Sequence, residues 1–120
     1  MHRDQQIPMV TGDVLVSDAL VEMTRKGLGM TAVVDRFGRV KGIFTDGDLR
    51  RVLDHKIDIH AARVGEVMTR DCKKVPPDMV AAEALNVMQT QKISALLVVD
   101  PDNRLIGALN MHDMLRAGVL

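Results

Sequence analysis

Gly42-Ile43-Phe44-Thr45-Asp46-Gly47-Asp48 and Gly107-Ala108-Leu109-Asn110-Met111-His112-Asp113 lie 65 positions apart, and that interval decides the fold. Working outward at the same offset, Val16-Ser17-Asp18-Ala19-Leu20-Val21-Glu22-Met23 falls over Ala81-Ala82-Glu83-Ala84-Leu85-Asn86-Val87-Met88. Thr31-Ala32-Val33-Val34-Asp35 falls over Leu96-Leu97-Val98-Val99-Asp100, and Arg51 over Arg116. Any two α/β segments share an apolar rhythm. Rhythm does not superpose Gly42 on Gly107, Asp48 on Asp113 and Arg51 on Arg116. The chain is a duplication.

Both copies predict one order of elements. An extended piece comes first, Ile7-Pro8-Met9-Val10 and Lys73-Lys74-Val75-Pro76. A helix follows, with Val16, Ala19, Leu20, Met23 and Ala81, Ala84, Leu85, Met88 at i, i+3, i+4, i+7. Asp13 and Asp78 precede these helices as candidate N-caps. The unbroken apolar runs Ala32-Val33-Val34 and Ala95-Leu96-Leu97-Val98-Val99 suit strands covered on both faces. The turns Asp35-Arg36-Phe37-Gly38 and Asp100-Pro101-Asp102-Asn103 end in the two residues that best tolerate positive φ, as a type I turn with a bulge requires. Third strands, Val40 to Thr45 and Leu105 to Asn110, lead into final helices with Leu49, Val52, Leu53 and Met114, Ala117 facing the core. The expected fold class is α/β (α+β): two βαββα repeats packed on each other about a pseudo-twofold axis. Residues 1–54 form repeat 1, 55–67 a linker and lead-in helix, and 68–120 repeat 2. The lead-in Ala62-Arg63-Val64-Gly65-Glu66-Val67 has no counterpart before the first repeat, so the chain reads as a piece of a longer protein.

Composition narrows the function classes. Of 120 residues, 16 are basic and 16 acidic, so the electrostatic footprint of a nucleic-acid binder is missing. Trp and Tyr are absent and Phe occurs twice, which removes stacking platforms for single strands and leaves an aliphatic core with nine Met as filler. No apolar run approaches the ~20 residues of a membrane helix, and no secretory signal opens the chain. The single cysteine, Cys72, fits a reducing, cytoplasmic setting; neighbouring Lys73 and Lys74 would lower its pKa, but with no His or resolving Cys near in sequence it reads as incidental.

The repeated motif places a hydroxyl, and three residues later a carboxylate, where a strand meets a helix. A helix N-terminus offers free N–H groups to an anion, and a carboxylate beside it suits sugar hydroxyls. The competing reading is that Thr45 and Asp48 only cap the helix. The two readings separate experimentally: a ligand residue lowers affinity when removed, whereas a cap residue lowers the stability of the empty protein. His2, His55, His60 and His112 are scattered and predict no metal site. Nothing resembles a nucleophile with its base, so a ligand-binding module is favoured over a catalyst, with a purely structural dimerisation module as the rival.

Gly-apolar-apolar-(Thr/Asn)-x-x-Asp, twice and in this element order, resembles the tandem CBS (cystathionine β-synthase) domain pair, or Bateman module. Gly29-Met30-Thr31-Ala32-Val33-Val34-Asp35, Gly42 to Arg51, and Met111-His112-Asp113-Met114-Leu115-Arg116-Ala117-Gly118 are similar to one subgroup. That subgroup is the bacterial D-arabinose-5-phosphate isomerases, in which a sugar-isomerase (SIS) domain precedes the pair. The resemblance implies a regulatory module that binds a nucleotide or nucleotide-sugar and needs no cofactor. The effector would be an adenine nucleotide or, in lipopolysaccharide synthesis, the cytidine-linked sugar acid CMP-Kdo. It implies that Thr45 contacts phosphate or sugar and Asp48 ribose in one cleft, with Asn110 and Asp113 in the other. Gly29, Met30, Thr31 and Ser94, Ala95, Leu96 would flank the base. From the residues themselves, His112 inside the second motif and Arg51, repeated as Arg116, are further ligand candidates, with a solvated helix start or face as the alternative. The implied partners are a second copy (homodimer or tetramer) and the catalytic SIS domain of the parent chain. The fragment itself would not be an enzyme.

Overall fold

Two three-stranded sheets carry the chain in a computed structural model that describes residues 7–26, 29–76, 78, 81–91 and 95–110. The first half runs β1 (Met9–Thr11), α1 (Val16–Lys26), β2 (Met30–Val34), β3 (Val40–Thr45) and α2 (Asp46–Asp54). A short α3 (Val64–Val67) precedes β4 (Lys74–Val75), α4 (Ala81–Gln91), β5 (Ala95–Val99) and β6 (Leu105–Asn110). In each sheet the first strand pairs parallel and the last antiparallel with the middle one. The registers repeat at the 65-residue offset: Met30 faces Thr45 as Ala95 faces Asn110. The final helix expected in the second copy, with Met114 and Ala117, falls outside the described residues.

The unbroken apolar runs are explained by what covers each face. All five residues of β2 are buried. Met30, Ala32 and Val34 join Leu97 and Ala108 of the second sheet in a shared core, while Val33 turns to α1 and α2 with Val16, Ala19, Met23, Phe44 and Val52. In β5, Leu97 faces the shared core, and Leu96 and Val98 pack with Ala84, Leu85 and Met88 of α4. Each sheet is therefore sandwiched between helix and partner sheet, which alternation of polar residues would forbid.

The β2–β3 and β5–β6 turns match in geometry while differing in sequence. Gly38 has φ +81 and Asn103 φ +66, and the strand register slips between Val33 and Val34 and again between Val98 and Val99. Asp35 Oδ1 accepts from the N–H groups of Phe37 and Arg39, and Asp100 Oδ1 from those of Asp102 and Arg104. Desolvation alone would raise the Asp35 pKa, but these N–H donors, with Lys41 and Arg39 nearby, hold the carboxyl below its ordinary value. The turns also clasp one another. Val40 N–H donates to Asn103 O and Leu105 N–H to Gly38 O, both at 2.9 Å. These bonds exchange partners at the 65-residue offset, which is the signature of a twofold relation between the halves.

Three expectations are corrected. Asp13 does not cap α1: the helix starts at Val16, and the Asp13 carboxylate instead accepts from the Thr11 hydroxyl, which leads the influences that lower its pKa. The linker supplies the cap, because Val16 N–H donates to Ala62 O and Ser17 N–H to Ile59 O, each at 3.0 Å. With main-chain carbonyls satisfying the first free N–H groups, no side-chain cap is needed. Second, Leu53 is 57% exposed. The buried stripe of α2 is Asp48 and Val52, one turn apart, and Leu53 sits about 100° further round. Third, burial pushes the Cys72 thiol up and outweighs the pull of Lys74.

Candidate functional site

The junction of β3 and α2 gathers the motif residues around one carboxylate. Thr45 is extended (φ −122, ψ 174) and caps α2, its hydroxyl accepting from Asp48 N–H at 3.3 Å. Asp48 reaches back to close a capping box: Oδ2 accepts from Thr45 N–H at 2.9 Å and from the Thr45 hydroxyl at 3.2 Å. The other oxygen, Oδ1, accepts from the Thr69 hydroxyl at 2.7 Å and from the Arg51 guanidinium. Asp48 is 1% exposed, so a charge has been taken out of water, and both its oxygens are matched by donors. The capping reading is thus realised in this conformation. A ligand at Asp48 would have to exchange with a donor already there.

Thr69 is the residue the sequence reading missed. It lies 21 positions beyond Asp48, in the segment that opens the second repeat. That segment runs antiparallel to β3, with Ile43 N–H to Thr69 O at 2.9 Å and Thr69 N–H to Ile43 O at 2.8 Å. Gly42 permits the approach: a Cβ there would stand 2.6 Å from Thr69 O and 2.8 Å from Met68 Sδ. The motif glycine therefore serves backbone packing in this structure. The available signal was Met68-Thr69 standing at the repeat opening, but no spacing rule connects it to Asp48.

Other expected site residues are placed as follows. Gly29 is exposed with φ +70, and its carbonyl accepts from Asp46 N–H at 3.3 Å, so it adjoins the α2 N-terminus. Met30 and Thr31 are 1% and 0% exposed and Leu96 0%, so none presents a surface to a ligand in this conformation; Met30 and Leu96 fill the core. Arg51 joins Asp48 while its side chain stays 63% exposed. Ala95 opens β5 and Asn110 closes β6. Ser94, His112, Asp113 and Arg116 lie outside the described residues. His55 ends α2, with Nδ1 2.8 Å from Arg51 O, and His60 is exposed. Among the described residues no group of three His, Cys, Asp or Glu side chains could hold a metal, and no helix is long and apolar enough to cross a membrane.

Comparison with known proteins adds three findings. The family model described as CBS domain matches residues 1–55 and 64–120. Arabinose 5-phosphate isomerase KdsD of Pseudomonas aeruginosa is 54% identical over all 120 residues, and the chain spans 37% of that relative's length. Among solved structures, a CBS-domain protein from Burkholderia ambifaria superposes with a TM-score of 0.84 at 32% identity, over 94% of this chain and 82% of that one. CBSX2, solved in complex with AMP, superposes with a TM-score of 0.84 at 28% identity, over 99% of this chain and 92% of that one.

Proposed function

The chain belongs to the CBS domain family, and from that premise we propose that it is the regulatory nucleotide-binding module of an arabinose 5-phosphate isomerase. The observation that carries this reading is the one-sided match: all of this chain aligns with 37% of the isomerase. A region that leaves most of an enzyme to its other parts, and that has no nucleophile–base couple in its sequence, is suited to sensing rather than to turnover. AMP bound to CBSX2, a CBS-domain protein of matching fold, supports an adenine nucleotide as one ligand class. Membership in lipopolysaccharide synthesis would make CMP-Kdo, a later product carrying the same phosphate and ribose groups, the other. The ligand's ribose meets Asp48 and its phosphate lies near Thr45 and Arg51, with Asn110, Asp113 and Arg116 as the second set. The parent enzyme is cytoplasmic, and its SIS domain is the regulated partner.

A second reading has its own observation. The Asp48 carboxylate is already satisfied within the protein, and Val21 and Leu53 are 58% and 57% exposed on the outer faces of α1 and α2. That pattern suits a module that dimerises its parent and binds nothing. Thermal-shift titration of this chain with AMP, ATP and CMP-Kdo, paired with isomerase assays of the parent enzyme, separates the two. Ligand-dependent rise in melting temperature together with altered isomerase activity supports regulation. No shift with any of the three, alongside a stable dimer, favours the scaffold.

A further inference from the structure

We propose that Arg51 is an exchangeable occupant of the Asp48 carboxylate, released by the ligand's diol and then taken up by its phosphate. The proposal rests on the nucleotide-binding reading above and adds a mechanism for choosing phosphorylated ligands. Asp48 has four donor contacts, and they are not equally fixed. Thr45 N–H and the Thr45 hydroxyl belong to the capping box, so removing either opens the first turn of α2. The Thr69 hydroxyl rides on a backbone pinned to Ile43 by two hydrogen bonds. Arg51 alone is an exposed residue, reaching Asp48 from one turn along the helix with its side chain 63% exposed. Its guanidinium lies at the solvent-facing end of the pair, so it is the contact most readily exchanged, provided another donor takes its place on the buried carboxylate.

Gly47 is exposed, and a Cβ there would lie 3.6 Å from Thr45 Oγ1 and 4.0 Å from Arg51 Nη1. Gly47 itself adds no side chain between the capping hydroxyl and the guanidinium. A diol donating to Asp48 Oδ1 displaces Arg51 and leaves the guanidinium unpaired. If the ligand carries a phosphate, the planar fork regains a stronger, bidentate partner. If it does not, the pair is lost without return. Arg51 thereby penalises bare nucleosides and rewards nucleotides, a selectivity that neither Thr45 nor Asp48 provides.

The test is calorimetric titration of the wild-type chain and of Arg51→Ala with adenosine and with AMP, with thermal melting of both empty proteins. Arg51→Gln is the second variant should the alanine chain melt early. The expected result is that the preference for AMP over adenosine falls about tenfold in the variant. Adenosine affinity itself holds or rises, by up to about fivefold, because the competing guanidinium is gone. An unchanged preference, or equal weakening of both ligands, overturns the exchange while leaving nucleotide binding standing. Failure of the wild-type chain to bind AMP overturns the exchange, and failure with CMP-Kdo as well overturns the binding reading.

Discussion

The turns at the pseudo-twofold axis and the junction at the foot of β3 hold the molecule together by opposite means. At the axis, Gly38 and Asn103 differ in chemistry but share a left-handed backbone, and the two turns are joined by reciprocal main-chain bonds with one added bond from the Asn103 amide to Val40 O. At the junction, a single buried carboxylate collects a main-chain N–H, two hydroxyls and a guanidinium from three segments. Backbone geometry tolerates sequence drift as long as positive φ is available. A side-chain hub does not, since each donor is a particular residue. The duplication is therefore expected to stay symmetrical at the axis and to diverge at the junctions, as Thr45 against Asn110 already indicates.

Substitutions at four positions sharpen that contrast. Gly42→Ala should do the most damage, about 2–3 kcal/mol by chemical denaturation, because its Cβ would meet Thr69 O at 2.6 Å and force the second repeat's opening segment off β3. A loss under about 0.5 kcal/mol would mean that the segment is not held there. Asp48→Ala should cost about 2 kcal/mol in the empty protein, by losing the capping box and leaving the Thr69 hydroxyl without its acceptor. An unchanged melting temperature would restore the reading in which Asp48 serves ligand alone.

At the axis, Asn103→Ala should cost about 1–2 kcal/mol, since it strains a residue at φ +66 and removes the Nδ2 bond to Val40 O and the Lys74 bond to Oδ1. Asn103→Gly relieves the strain but not the lost bonds, so it should fall between wild type and alanine. Equal melting of all three chains would show that the clasp contributes nothing. The smallest effect belongs to Asp35. Its folded-state pKa is lowered, so the stability it lends is present above the unfolded value of about 3.8 and drains away as pH falls through the lower folded value. Asp35→Asn should lower the neutral plateau slightly and flatten the acid limb, since the stability lost on acidification is the part present at neutral pH. An identical acid limb in the variant assigns that slope to other carboxylates.

Much of this was legible in the chain. The offset gave two matching halves, apolar runs without alternation gave strands covered on both faces, and Gly38 and Asn103 gave the bulged turns. Local signals sufficed there because the causes were local. What escaped notice depended on long-range main-chain bonds: Ala62 and Ile59 carbonyls replacing Asp13 as the α1 cap, and Thr69 reaching Asp48 across 21 positions. Leu53 escaped because a helical apolar pattern marks a stripe without saying where the covering layer stops. At the junction, Thr45-x-x-Asp48 reads identically for a cap and for a ligand site. Only geometry shows that the cap is formed, and only a ligand shows whether it is also exchanged.

The most direct test is therefore isothermal titration of AMP into the wild-type chain and into Asp48→Asn, which keeps an acceptor oxygen for the cap while removing the charge. The account predicts saturable binding to the wild type and affinity about tenfold to a hundredfold weaker in the variant, as expected when ligand hydroxyls lose a charged acceptor. Identical affinity in the two chains would contradict it.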